Sequence, residues 1–291
     1  MIDISTFLQV VVSALLLGGI YALIAAGFNL IYGVMDVINC AQADMMMIAM
    51  YLCFWFFELY GVHPLLMLFL ATPLLFIMGI LTQRFIIDRL LGAPLFIQAI
   101  ATIGLGYVLQ NLALLFWKED YRMIYMEYTT AKTMVGFISL SLPRLVAFVG
   151  CLVMIAMLYM LLTKTDFGRS IRATSESREA AALMGINVKH VYALVFAIGA
   201  ACAGIAGVFT STFYYTYPTV GAVFLLKMFV VVVLGGCGNV LASIAGGLIV
   251  GLAEGVGSFL LLPSWKDAIY QVIFLIVLAI KPTGIFGEKK V

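Results

Sequence analysis

Three polar side chains interrupt an apolar run near the amino terminus and are candidates for contact with a small solute. Asn39, Gln42 and Asp44 open the stretch Asp36–Phe57, whose later residues are almost all apolar. Polar groups at membrane depth must face protein or water rather than lipid. Their amide and carboxylate groups offer donors and acceptors to a small zwitterion or amide, whereas no cluster of charges suits a sugar phosphate or a metal ion. We therefore treat these three as candidate pathway residues.

Two ionisable side chains lie inside later apolar runs. Lys227 occurs in AVFLLKMFVVVV and Glu254 in GGLIVGLAEGVG. A charge at the bilayer centre costs a few kcal/mol on insertion scales, so each side chain should face the helix bundle or water. One interpretation is a gate or a substrate contact. The other is a structural anchor in which the acid and the base satisfy each other.

The longest charged interruption of the chain is Thr163–Lys189, followed at once by an apolar segment. Within it, Ser175–Gly185 has the pattern of a short helix, because Ser175 or Ser177 can cap it, Glu176 and Glu179 fall in its first turns and Gly185 can end it. Ala180, Leu183 and Met184 would then share one face. Such a face suits docking into a groove on a soluble partner, although an ordinary solvated loop with one helical turn remains the alternative.

The residues needed for catalysis or metal binding are missing from the sequence patterns. The chain has no Gly-x-x-x-x-Gly-Lys-Ser/Thr loop, so it is not expected to bind ATP itself, and His63 and His190 lie at segment ends without a ligand cluster. The five cysteines have no metal-ligand spacing. A net charge of +2 gives no reason to expect nucleic-acid binding. We therefore predict a protein that is not an enzyme and carries no cofactor or metal.

Composition indicates an integral membrane protein, because 65% of the 291 residues are hydrophobic and only 10% are charged. We predict one transmembrane domain over residues 1–291, an all-α polytopic bundle of about eight or nine helices. The apolar segments are Phe7–Ile31, Asp36–Phe57, Pro64–Leu81, Leu95–Trp117, Leu145–Leu162, His190–Thr212, Val220–Gly235, Leu241–Leu262 and Ala268–Ile280. Val220–Gly235 is short and ends in glycines, so a broken or re-entrant helix is the alternative there.

The distribution of basic residues predicts the orientation in the membrane. If Thr163–Lys189 is cytoplasmic, ten of the sixteen basic residues fall inside, including Lys281, Lys289 and Lys290 of the tail, and five fall outside. The amino terminus is then outside and the carboxyl terminus inside. The one extended outer loop, Lys118–Arg144, is rich in tyrosine and charge. It is either an interfacial aromatic belt or a contact surface for an extracytoplasmic protein.

Several blocks of the sequence resemble a known transporter family. Glu179, Ala180, Ala181 and Gly185 resemble the EAA-x-x-x-G coupling segment of ABC importer permeases, which docks on the ATP-hydrolysing subunit. GGIYALIAAGFNLIYGVMDVINCAQAD, ATIGLGYVLQNLALLFW, FGRSIRATSESREAAALMGINV, VVVLGGCGNVLASIAGGLIVGLAE and KPTGIFG follow the family's blocks in order. Together they resemble the H-type permease of branched-chain amino acid ABC importers, a family that also includes urea and short-amide permeases.

The resemblance implies a machine of several subunits in the bacterial inner membrane. This chain would pair with a related second permease, two cytoplasmic subunits that bind ATP and Mg, and a periplasmic or extracytoplasmic substrate-binding protein, all surrounded by lipid. It implies a cytoplasmic coupling loop at 163–189 and adds Thr102, in the second block, to the candidate pathway. The residues implied to couple to the ATPase are Arg178, Glu179, Ala180, Ala181, Leu183, Met184 and Gly185.

Departures from the family pattern bear on the solute. Cys40 stands where phenylalanine is usual, Ala43 where glycine is usual and Gly106 where serine is frequent, while Cys237 and Asn239 alter a glycine-rich block. The expected solute is a small amino acid, branched-chain by resemblance, with urea or a short amide as the alternative. A further alternative is an ion-coupled secondary amino-acid carrier that uses Asp44 or Glu254, which would leave the segment 163–189 unexplained.

Overall fold

The computed structural model describes residues 4–135, 138–260, 266–281 and 284–285 and consists almost entirely of helices. In chain order these are α1 (Ile4–Met35), α2 (Gln42–Tyr60), α3 (Leu68–Phe85), α4 (Leu95–Trp117), α5 (Glu127–Thr130), α6 (Leu142–Lys164), α7 (Asp166–Glu176), α8 (Arg178–Leu183), α9 (Val188–Ser211), α10 (Val220–Gly235), α11 (Ala242–Leu260) and α12 (Lys266–Ile280). Short 3-10 turns, Pro64–Met67 and Ile87–Arg89, flank α3.

The prediction of an all-α polytopic membrane protein is confirmed. Seven of the described spans are long and apolar enough to cross a membrane, and two shorter apolar helices, Val220–Gly235 and Ala268–Ile280, accompany them. The predicted bounds Leu95–Trp117 and Val220–Gly235 agree with α4 and α10. Residues 261 and 262 of the segment predicted to end at Leu262, and Lys289 and Lys290 of the tail, lie outside the described residues.

Helix α1 lies in the centre of the bundle and packs against α6, α9, α10 and α11. Its small residues are buried, namely Gly18, Gly19, Ala22, Ala25, Ala26 and Gly27, and glycine allows the closest approach. A Cβ added to Gly18 would lie 2.7 Å from the Gly247 carbonyl oxygen of α11, and one added to Gly251 would lie 2.6 Å from the Ala14 carbonyl oxygen. Because lipid supplies no hydrophobic driving force between helices, such close backbone packing is a main source of helix association.

Helix α9 forms the second buried element, between α1, α2 and α3. Gly199, Gly204 and Gly207 face Ile31 of α1, Leu75 of α3 and Met46 of α2 respectively. In contrast, α4 packs mainly on α2 and leaves most of its surface exposed in this single chain. The bundle therefore has a tightly packed centre and an open side along α4.

Helix α10 has only 16 residues, so it is about 24 Å long, less than the roughly 30 Å hydrocarbon core. It is one continuous helix and turns back through 236–241 into α11, against which it packs closely where Gly235 meets Ala242. The alternative of a break inside Val220–Gly235 is therefore wrong, whereas its shortness is confirmed.

The predicted single helix Ser175–Gly185 is wrong, because the structure divides this stretch at Ser177. Ser177 is extended (φ −154°, ψ 113°), ends α7 and caps α8 by accepting a hydrogen bond from the Ala180 amide at 3.2 Å. Glu176 is consequently the last residue of α7 rather than part of a first turn. The predicted end of the helix at Gly185 is supported by its left-handed backbone (φ +81°), a conformation that glycine adopts without strain.

The loop Lys118–Arg144, predicted to lie outside, contains local structure that the sequence patterns did not indicate. The short helix α5 is followed by an antiparallel hairpin of β1 (Lys132–Val135) and β2 (Ile138–Ser141), in which Thr133 pairs with Leu140. Arg122 forms an isolated bridge with Thr216 of the loop after α9. The bridge joins this loop to the loop after α9.

Candidate functional site

Residues 36–41 separate α1 from α2 in a non-helical break. Asp36 leaves α1 with a left-handed backbone (φ 52°), which is uncommon for a residue other than glycine. Thr102 of α4 fixes the far side of the break, since its hydroxyl accepts a hydrogen bond from the Cys40 amide at 3.1 Å and lies 2.9 Å from the Ile38 carbonyl oxygen. Thr102, chosen from the sequence as a pathway residue, thus joins α4 to the break.

Asn39 and Gln42 form a buried amide chain at this break. Asn39 Nδ2 donates to Gln42 Oε1 at 3.0 Å, and Gln42 Nε2 donates to the Gly199 carbonyl of α9 at 2.7 Å. Asn39 Oδ1 is buried and has no hydrogen-bond partner among the described residues. A buried acceptor of this kind costs about 1–3 kcal/mol when it is left without a donor, so Asn39 Oδ1 is a candidate partner for a donor group of a ligand.

Asp44 lies in the first turn of α2 and is only 4% exposed. Gln110 of α4 donates to its Oδ1 at 2.8 Å. A Cβ at Gly106 of α4 or at Gly221 of α10 would clash with the carboxylate oxygens. The glycine at 106, noted above as a departure from the family pattern, therefore makes room for Asp44 between α4 and α10.

Lys227 and Glu254 form a buried ion pair between α10 and α11, as the anchor interpretation expected. Lys227 Nζ lies 2.6 Å from Glu254 Oε1. The hydroxyl of Tyr21 on α1 donates to Glu254 Oε2 at 2.8 Å and accepts from Lys227 at 3.1 Å. Lys227 is 3% exposed, and its ammonium nitrogen lies 5.1 Å from the centre of the Tyr21 ring.

The candidate pathway residues therefore fall into two groups. Asn39, Gln42, Asp44 and Thr102 come together where the α1–α2 break meets α4 and α9. Lys227 and Glu254 are engaged with each other and with Tyr21 instead. Because Gly221 contacts Asp44 and Lys227 follows six residues later on the same helix, the two groups are separated by about 9 Å along α10.

Two site residues were missed by the sequence reasoning. Gln110 became relevant only through its bond to Asp44, and Asn29 of α1 holds the α10–α11 turn. The Asn29 side chain accepts from the Gly238 amide at 2.9 Å and donates to Ser243 Oγ at 2.8 Å. Both are uncharged amides within apolar runs, and such polar residues at membrane depth are the signal that could have identified them.

The short helix α8 presents its apolar side chains outwards. Leu183 is 88% exposed and Met184 is 83% exposed, whereas Ala181 is buried. Glu179, Ala180 and Gly185 are also exposed. Arg178, the first residue of α8, instead reaches α1, where its Nη2 donates to the Met35 carbonyl at 3.1 Å. The predicted coupling residues are thus mostly free to contact another protein, except for Ala181 and Arg178.

Metal binding finds no support in the described part of the chain, where no group of three or more His, Cys, Asp or Glu side chains could hold an ion. Four of the cysteines are buried as free thiols and Cys237 is exposed. The chemistry that the site offers is hydrogen bonding by amides and a carboxylate.

Comparison with known proteins places this arrangement in a family. The family described as "Branched-chain amino acid transport system / permease component" matches residues 10–278. The chain is 30% identical to the high-affinity branched-chain amino acid transport system permease protein BraD of Pseudomonas aeruginosa, over 99% of this chain and 98% of that protein. It is 32% identical to the corresponding LivH protein of Escherichia coli (strain K12), over 98% and 97% of the two chains.

A more distant similarity covers part of the chain. The ribose import permease protein RbsC of Haemophilus influenzae is 29% identical over 47% of this chain and 45% of its own length. No solved structure matches the chain.

Proposed function

The chain belongs to the family of permease components of branched-chain amino acid transport systems, and from this premise we propose which solute it carries and how its transport is driven. It is a multi-pass membrane permease subunit of an importer rather than an enzyme. The proposed solute is a small aliphatic amino acid, branched-chain by similarity to its relatives. The observation that carries the proposal is the buried amide and carboxylate cluster at the α1–α2 break.

The polar groups of this cluster match those of an amino acid. The Asp44 carboxylate receives a hydrogen bond from Gln110 but forms no ion pair with the basic side chains of the described residues. A buried carboxylate is stabilised by an opposite charge, and a substrate ammonium would supply it. The free acceptor on Asn39 could take a second donor from the same ligand. Urea or a short amide would use the amide groups alone, and these solutes are the second candidate.

We predict that leucine, isoleucine or valine stimulates ATP hydrolysis by the purified complex with its binding protein, and that Asp44→Asn lowers this stimulation about tenfold. Loss of an ammonium contact worth about 1.4 kcal/mol gives that factor. Glu58→Gln is the matched control, since Glu58 is an exposed carboxylate on the same helix. Stimulation by urea or acetamide alone would favour the second candidate, and stimulation by only a sugar or a cation would refute both.

The proposed partners follow from the exposed surfaces of this single chain. The outward apolar side chains of α8 are suited to a groove on one of two cytoplasmic ATPases, which bind ATP and Mg. The open side of α4 is suited to a related second permease in the membrane. An extracytoplasmic binding protein would deliver the solute to the loops near α5 and the β hairpin. Movement of α8 with the ATPases would open the cluster alternately to the two sides of the membrane.

The proposed orientation in the bacterial inner membrane places the amino terminus outside and the carboxyl terminus in the cytoplasm. It is supported by the excess of basic residues on the predicted inner side. Single cysteines at Thr130 and Ser175, both exposed, should react with an impermeant thiol reagent from opposite sides. The background lacks the five native cysteines. Reaction of both sites from the same side would contradict the orientation.

A further inference from the structure

Arg178 connects the exposed helix α8 to the end of α1. Its Nη2 donates to the carbonyl of Met35, the last residue of α1, at 3.1 Å and lies 3.6 Å from Asp36 Oδ2. Its guanidinium also lies 5.8 Å from the centre of the Tyr192 ring on α9. One side chain therefore binds α8 to two of the most buried helices of the bundle.

These contacts contribute little to the free energy of unfolding. The side chains of Arg178 and Asp36 are 45% and 54% exposed, and ion pairs exposed to that degree contribute little because solvent screens them. Their position is more informative than their strength. Asp36 is the residue with the left-handed backbone at which the chain leaves α1, a conformation that persists only where neighbouring contacts hold it.

The break is short enough to pass a displacement on to the candidate solute site. Three residues beyond Asp36, Asn39 begins the amide chain that reaches Gly199 through Gln42. The next residue, Cys40, is held by Thr102 of α4. A shift of α8 that pulls on Arg178 would thus act on α1 at Met35 and Asp36, and through them on the groups proposed to bind the solute.

We propose that Arg178 is a positioning residue, which transmits the movement of α8 to the α1–α2 break by holding Met35 and Asp36 together. This inference rests on the proposed function, because it requires that ATPase subunits move α8. It also assigns different tasks to neighbouring residues. Leu183 and Met184 face outwards to meet the partner, whereas Arg178 faces inwards and carries the movement to the bundle.

The native cysteine Cys40 lies in the break and can report on it independently of the solute. In a complex with Cys53, Cys151, Cys202 and Cys237 replaced by alanine, trapping with ADP and vanadate should change the rate at which a thiol reagent labels Cys40. A change of about fivefold corresponds to the lower end of usual coupling between sites. Arg178→Ala should abolish the change, because it removes both the donor to the Met35 carbonyl and the charge facing Asp36. Arg178→Lys keeps a donor and the positive charge and should retain part of the change.

The Lys189–Asp88 pair is the matched control, since it is an ion pair of 3.9 Å that does not involve the break. Lys189→Asp should leave the response of Cys40 intact. A response of Cys40 that survives Arg178→Ala, or that is absent with native Arg178, would overturn the inference. Equal loss of the response with Arg178→Lys and Lys189→Asp, both present in the membrane, would also overturn it. Failure of the chain to assemble with any ATPase would refute the proposed function instead, which separates the two results.

Discussion

Replacing Lys227 by methionine is expected to lower the free energy of unfolding by about 3–5 kcal/mol, the usual cost of removing one partner from a buried ion pair. The substitution leaves the Glu254 carboxylate between α10 and α11 with only the Tyr21 hydroxyl as its donor. A charge left in this environment must be desolvated without compensation. The effect should therefore greatly exceed that of an exposed pair.

The double variant Lys227→Met, Glu254→Gln separates the pair's structural role from a role in transport. It removes both charges, so most of the lost stability should return, and transport by the assembled complex should persist if the pair is an anchor. Thermal unfolding in detergent measures the first effect. Lys189→Met, at an 82% exposed side chain, is the control and should cost at most about 1 kcal/mol. Equal losses for Lys227→Met and Lys189→Met would contradict the anchor interpretation.

The membrane helices could largely be predicted from the sequence, because each must bury its backbone in a run of apolar residues of spanning length. The bounds of α4 and α10 are examples in which polar or glycine residues end the run sharply. At other helices the observed ends differ from the predicted ends by a few residues. Helix α1, for example, continues to Met35 instead of ending at Ile31. There the apolar pattern continues and only the backbone geometry of Asp36 ends the helix.

The division of 175–185 could not be predicted with the same certainty. Both Ser175 and Ser177 are suitable caps in the sequence, and the structure uses Ser177, whose hydroxyl accepts a hydrogen bond from the Ala180 amide. Contacts between side chains on different helices could not be predicted from the sequence either. Asp44 was recognised as an isolated polar residue, but its contact with Gln110 and its fit between Gly106 and Gly221 depend on how three helices cross.

Leu183→Asp is expected to lower binding-protein-stimulated ATP hydrolysis by at least about tenfold, which corresponds to a loss of ~1.4 kcal/mol in docking. Burying a leucine side chain contributes about 1.5–3 kcal/mol, whereas an aspartate in the same groove must be desolvated. Glu179→Lys should also lower it, because Glu179 is exposed on α8. A bulky residue at Gly185 should lower it as well, because it strains the left-handed backbone that ends this helix (φ +81°). None of these changes alters a buried contact in the chain, so insertion into the membrane should be retained.

The central claim is that transport by this chain is driven by ATPases that engage α8. It is tested most directly by measuring stimulated ATP hydrolysis in membranes that contain equal amounts of the wild-type complex and of each variant complex. Ser175→Asp serves as the control, because it adds the same charge at an exposed position of α7. We predict normal stimulation with Ser175→Asp and loss of stimulation with Leu183→Asp and Glu179→Lys. Normal stimulation and uptake with all three variants would contradict the account.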